Sequence, residues 1–224
     1  MNHTKKGLLC LVKGGRIKAV YCHRGAQMEK FGARVIALCR DLGPEGLGAL
    51  YERLIEVEEE APMTGEQRAL FRPYLPEPCW SEQLTWTDVL RYTRDPLQPL
   101  RDGVPYVVNY AGFIPSWRNR WRYTIDLDRG FVQVAKGGLE LLCAESEEFS
   151  PRVTYPKKIA AALIGRFDLA EIPADWLDQC RAGWESLQLK FVPRDDAEEI
   201  STRFMSDPEG QHTAWQMAYF LGMR

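Results

Sequence analysis

Apolar and polar residues alternate with period two in some stretches of this chain and recur at helical spacing in others. The order of those stretches predicts the elements. Leu8 to Val12 is a short apolar run that stops at Gly14-Gly15, and Ile17 to Tyr21 resumes with alternating character, which predicts an N-terminal β-hairpin. The strongest alternation runs from Trp117 to Lys136. Trp117, Trp121, Tyr123, Ile125 and Leu127 share one parity, while Arg118, Arg120, Arg122, Thr124 and Asp126 share the other, as in a strand with one buried and one wet face. The turn Asp126-Leu-Asp-Arg-Gly130 has the Asp and Gly chemistry of a tight reversal, and Phe131 to Ala135 provides the return strand. The rings of this central hairpin are expected to point into the core and its guanidinium groups into water.

Helical spacing governs the next group. Met28, Phe31, Val35, Leu38, Cys39 and Leu42 predict a helix over residues 27–42, stopped by Gly43-Pro44. Leu47, Leu50, Tyr51, Leu54 and Ile55 predict a second over 45–57, ending before the acidic run Glu58-Glu59-Glu60. Residues 61–80 carry Pro62, Pro73, Pro76 and Pro78, a density that prevents a long regular element and predicts a surface excursion packed by Phe71, Tyr74 and Trp80. Thr85 or Thr87 starts a short helix through Tyr92, and Tyr106 to Tyr110 returns to strand-like composition. Ile159 to Phe167 fits either a strand or a short helix, and so does His212 to Leu221. Pro173 opens a late helix, residues 173–190, with Trp176, Leu177, Cys180, Trp184 and Leu187 on one stripe.

These elements predict one α+β domain over residues 1–224. In it an antiparallel sheet of hairpins is covered on one face by the amphipathic helices at 27–42, 45–57 and 173–190, with 61–80 as the proline-rich excursion and 194–224 as a C-terminal extension packed on it. The chain has 224 residues, long enough to bury a sizeable core, and its seven tryptophans give that core large anchors. A net charge of −2 and a pI near 6.0 remove the global argument for a polyanion-binding protein, so any nucleic-acid role must be local. The cysteines at 10, 22, 39, 79, 143 and 180 form no CxxC pair and have no histidine at zinc-finger spacing. Buried free thiols in a cytoplasmic, reducing setting are expected, with no metal and no cofactor. No run of about 18 apolar residues is present, so no membrane span is expected.

Three passages resemble a widespread group of uncharacterised bacterial, fungal and phage proteins that open with a hairpin leading to a Trp-Asp-Gly-Tyr-Pro motif. They are Val20-Tyr-Cys-His-Arg-Gly-Ala-Gln-Met-Glu-Lys-Phe-Gly32 with the helix after it, Trp121-Arg-Tyr-Thr-Ile-Asp-Leu-Asp128 with its return strand, and Phe167-Asp-Leu-Ala-Glu-Ile-Pro173 before the late helix. Order and spacing fit across roughly residues 7–185. Arg24-Gly25-Ala26 stands where that group has Trp-Asp-Gly, so the aspartate is missing here. The resemblance implies an α+β fold and an origin in a phage, plasmid or defence-related locus, and no activity comes with it.

The residues that can carry chemistry are few. Cys22-His23-Arg24 ends the second strand just before a helix N-terminus, where a thiolate and an imidazole would suit a nucleophile. Neighbouring strand residues point to opposite faces, however, so Cys22 and His23 do not pair directly if the strand runs through them. A two-histidine metal site would need His23 and His212 to converge. Arg118, Arg120 and Arg122, flanked by Trp117 and Trp121, present a basic face for an acidic protein, a nucleotide or a nucleic acid. Asp126 and Asp128 could serve as paired carboxylates, but turn chemistry accounts for Asp128. Gly43-Pro-Glu-Gly-Leu-Gly48 follows a helix and lacks the Lys-Ser/Thr ending of a phosphate loop.

The first expectation is therefore a non-enzymatic factor that binds a protein partner, phage- or mobile-element-encoded and acting on a host or defence protein. Arg24, Arg118, Arg120 and Arg122 are its binding candidates. A ligand- or nucleotide-handling enzyme with a pocket near Cys22, His23 and Arg24 is the alternative, with Cys22 and His23 as catalytic candidates. Nucleic-acid binding through Arg118, Arg120 and Arg122 is the third reading.

Overall fold

Gly14 and Gly15 both take positive φ, 57° and 71°, the backbone that a two-residue reversal between right-twisted strands requires. β1 (Gly7–Lys13) and β2 (Arg16–Cys22) therefore close as a tight antiparallel hairpin, with Lys13 opposite Arg16 and Gly7 opposite Cys22. A computed structural model of the chain describes residues 6–79, 83–108, 110–111, 120–140 and 159–190.

The first predicted helix is present, with a wide π turn at its start. Met28–Gly32 carries the i to i−5 bond from Gly32 N to Gln27 O, 3.1 Å, before regular α geometry begins. α1 (Ala33–Arg53) is broken at Gly43, whose φ of 62° and ψ of 179° no helix accommodates, and Pro44 begins the second segment where its missing N–H costs no bond. The expectation of helix as far as residue 57 is corrected here. α1 stops at Arg53, and Ile55–Val57 is a short strand, β3. Lys18 caps that end from the sheet side. Its ammonium donates to the carbonyls of Tyr51 and Leu54 at 2.8 and 2.7 Å, taking acceptors that another turn of helix would need, and it lies 4.4 Å from the centroid of the Tyr51 ring.

The proline-rich stretch forms short helices, in keeping with the bar on a long element. α2 (Gly65–Phe71) starts at a full capping box, in which the Thr64 hydroxyl accepts from Gln67 N and the Gln67 amide oxygen accepts from Thr64 N. 3-10 turns follow at Arg72–Tyr74 and Glu77–Cys79. α3 (Trp86–Tyr92) begins at the Thr85 cap with Asp88 closing the box. α4 (Gln98–Arg101) leads to β4 (Tyr106–Val108), which pairs parallel with β3. Phe71, Trp86, Val89, Val104 and Val108 bury one another in a second apolar cluster, with the Phe71 and Trp86 rings edge to face at 5.4 Å. Residues 61–79 are thus part of a packed layer and not only a surface excursion. Trp80 lies outside the described residues.

β5 (Trp121–Asp126) and β6 (Phe131–Glu140) form the central hairpin, and β7 (Ile159–Asp168) pairs antiparallel with β6, so the segment open between strand and helix is a strand. α5 (Trp176–Lys190) closes the described chain. The result is an α+β fold whose five strands run β2-β1-β5-β6-β7. All pairings in this sheet are antiparallel except the join between the two hairpins, where β1 and β5 run parallel with Gly7 opposite Trp121. Asp128 ties the two hairpin turns together, accepting from Gly14 N at 2.9 Å and Gly15 N at 3.4 Å. Asp126 holds the reversal itself, accepting from the N–H groups of Asp128 and Arg129.

α1 and α5 cover one face. Leu9, Leu11, Val20, Trp121, Tyr123, Ile125, Val132 and Phe167 pack there against Phe31, Val35, Leu38, Trp176 and Cys180, so the rings of the central hairpin point inward as their parity predicts. α5 sits close to β7 because glycines stand on both sides of their contact: a Cβ on Gly183 of α5 would strike the Ile164 carbonyl, and one on Gly165 of β7 the Cys180 sulfur. The opposite parity of β5 does not simply face water, and that expectation is corrected. Leu8, Cys10, Ala19 and Tyr21 are buried on this second face beneath Leu90 of α3 and Tyr110, and Thr124 and Asp126 are only 5% and 8% exposed.

Candidate functional site

Register brings most of the described candidates to one end of the sheet. Gly7 is the Cα partner of both Cys22 and Trp121, so the residues just outside those positions, namely Lys6, His23 with Arg24, and Arg120, lie side by side. Lys6 O accepts from the backbone N–H groups of Arg120 and Trp121 at 3.0 and 3.2 Å, which pins the strand ends together. Arg118 and His212, and with them any His23–His212 metal pair, lie outside the described residues.

Strand alternation separates Cys22 from His23. Cys22 belongs to the α1 side, where its thiol is buried and donates to the Arg24 carbonyl at 3.1 Å. Burial pushes that thiol up to about 12, so it is neutral at physiological pH. Cys10, Cys39 and Cys180 are buried and shifted the same way, and Cys79, the other described cysteine, is partly exposed. His23 continues the second face. Its Nδ1 lies 3.2 Å from the Tyr21 hydroxyl, and the Tyr21 ring in turn packs on Tyr110 at 4.6 Å. A tyrosine O–H donating to Nδ1 leaves the ring proton of the neutral imidazole on Nε2.

The charges that act on His23 are all positive, while Glu59 and Glu60 act on Tyr110, the ring packed on Tyr21. His23 is held below its ordinary range first by burial and then by the positive charges of Lys6, Arg24 and Arg91. Arg91 comes from α3, whose Leu90 packs on the cluster of Leu8, Cys10, Ala19 and Tyr21. Elsewhere arginines sit on carboxylates, as in Arg34–Asp95, Arg101–Asp41 and Arg181–Glu29. Among the described residues no ion pair involves Lys6, Arg24 or Arg91. Arg122 lies one step inward on the same face, opposite Leu8 and half-buried, where burial lowers its pKa; Arg120 beside it is exposed.

Sequence reading named His23, Arg24, Arg120 and Arg122 but not Lys6 or Arg91. Lys6 was legible in principle, as the cation one residue before a strand paired with the Cys22 strand. Arg91 was not, because nothing in a seven-residue helix says which strand end it will meet. A small crevice lined by Val20, Tyr21, Val89, Leu90, Thr93 and Val107 has largely apolar walls, and none of Lys6, His23, Arg24 or Arg91 lines it.

Among the described residues no three or more His, Cys, Asp or Glu side chains gather in a metal-binding group, and no helix is long and apolar enough to cross a membrane. Comparison with known proteins returned no matching family model, no matching curated protein and no matching solved structure.

Proposed function

We propose that this chain is a non-catalytic binding protein that docks an acidic segment of a partner protein against the end of the sheet formed by Lys6, His23, Arg24 and Arg91. The observation that carries this reading is that Lys6 before β1, Arg24 after β2 and Arg91 of α3 all bring positive charge to bear on His23, with no carboxylate ion-paired to Lys6, Arg24 or Arg91 among the described residues. Like charges held together in this way repel, and an incoming anion relieves that repulsion while steering the encounter. The Cys22 thiol, neutral and turned to the opposite face, argues against the nucleophile reading. The buried free thiols support a cytoplasmic setting. The implied phage, plasmid or defence-related origin supports a host or defence protein as the partner.

Fluorescence anisotropy with a labelled glutamate-rich peptide tests the reading. Binding is expected to weaken steeply with added salt and to fall about tenfold in an Arg24→Ala, Arg91→Ala double variant. Equal binding by that variant, or no binding by the intact chain at low salt, overturns it.

A further inference from the structure

We infer that the seam where the two sheets meet is a binding site for ordered water, held by the Thr93 hydroxyl and by backbone groups of β4.

The small crevice beside Tyr21 runs along two strand edges. Among the described strands β2 pairs only with β1, at the end of the five-stranded sheet, and β4 pairs only with β3. Val20 and Tyr21, neighbours on β2, both line the crevice, although Val20 belongs to the α1 side and Tyr21 to the second face. Val107 and Val108 repeat this on β4, one in the main core and one in the second apolar cluster. Consecutive strand residues point to opposite faces, so a space that touches both meets the strand at its edge, where the backbone polar groups lie.

Polar partners come from two elements. Thr93 is the C-cap of α3, and its hydroxyl oxygen is buried with no hydrogen-bond partner among the described residues. A buried hydroxyl in that position costs free energy until something bonds to it. On the β4 side, Ile55 N donates to Pro105 O at 2.6 Å, and with Ile55 opposite Tyr106 this register turns the N–H and carbonyl of Val107 toward β3. The backbone groups of Tyr106 and Val108, which also line the crevice, therefore point the other way, off the β3 ladder. A buried water takes about two to four polar partners, and the hydroxyl and these strand groups supply that number.

Size and chemistry select the occupant. The crevice has a volume of about 40 Å³, room for about three waters at roughly 10–15 Å³ each and too little for a peptide segment. Among the described residues no charged side chain lines it, so nothing there holds an ion. A cavity with apolar walls alone stays dry, and the Thr93 hydroxyl is what sets this one apart.

Crystal structures of the full chain, with and without xenon pressure, test the proposal alongside Thr93→Val and Thr93→Ser. The intact chain should show at least one ordered water in the crevice, about 2.8 Å from Thr93 Oγ1, and should keep xenon out. Thr93→Val preserves the shape and removes the hydroxyl, so it should lose that water and admit xenon, whereas Thr93→Ser should keep the water. A dry or xenon-filled crevice in the intact chain overturns the proposal, and so does a Thr93 hydroxyl bonded to a protein group. Water kept unchanged in Thr93→Val overturns the part given to Thr93.

Discussion

Gly32 lies flat against the ring of Tyr123: a Cβ on Gly32 would stand 2.8 Å from Tyr123 Cε1 and from the hydroxyl. That clearance lets the phenol reach past the π turn and donate to the Ala26 carbonyl at 2.7 Å, joining the middle strand of the sheet to the strand–helix junction that carries His23 and Arg24. Gly32→Ala should therefore destabilise the protein by about 1–3 kcal/mol through overpacking, although alanine is the better helix former. Tyr123→Phe should cost about 1–3 kcal/mol by leaving a buried carbonyl without its donor. Urea midpoints of both variants test the pair, and an unchanged midpoint in Gly32→Ala would mean that the ring is free to move aside.

Lys18 closes α1 by taking the Tyr51 and Leu54 carbonyls and lying over the Tyr51 ring. Lys18→Met keeps most of the aliphatic stem and removes the charge, so it isolates the cap. A loss of about 1–2 kcal/mol is expected. Hydrogen exchange should quicken at the last turn of α1 before it does elsewhere. Uniform quickening would assign the loss to packing instead.

At the β7 edge of the sheet, a Cβ on Gly183 would strike the Ile164 carbonyl and one on Gly165 the Cys180 sulfur. Helix propensity alone says that Gly183→Ala stabilises α5 by about 1 kcal/mol. Close backbone contact says the opposite, and we expect net destabilisation of about 1–3 kcal/mol with the loss centred on α5 and β7. A raised melting temperature would show that α5 does not sit this close.

His23 has a folded pKa below its ordinary 6.5, owing to burial and then to Lys6, Arg24 and Arg91. The unfolded chain therefore takes up the proton first as pH falls. The contribution of His23 to stability is complete above the unfolded pKa, near 6.5, and is lost progressively as pH falls below it through the folded one. His23→Gln should flatten the unfolding midpoint in that window. An unchanged pH dependence would show that other groups set it.

Cys22 in the native chain should resist alkylation at neutral pH, because its thiol is buried and shifted up to about 12. Mass mapping after brief iodoacetamide treatment should place any label among the described cysteines on Cys79, which is partly exposed. Early labelling of Cys22 would reopen the nucleophile reading.

Where local chemistry decides, the chain was legible. The Gly14-Gly15 reversal, the period-two hairpin with Trp121, Tyr123 and Ile125 inward, the Thr85 cap and the α5 stripe each follow from neighbours a few residues apart, because turn geometry, strand alternation and helical spacing are local rules. The parallel join of β1 to β5, the end of α1 at Arg53 and the burial of the second face were not legible. They depend on contacts such as Lys18 with Leu54, or Leu90 with the cluster of Leu8, Cys10, Ala19 and Tyr21, whose partners are far apart in sequence and leave no periodic trace. The candidate site divides the same way. Composition marks His23 and Arg24 as polar residues at a strand end, whereas only the packing of α3 over β1 and β2 brings Arg91 beside them. Charge convergence is a property of distance, and distance between remote residues is set by the tertiary fold.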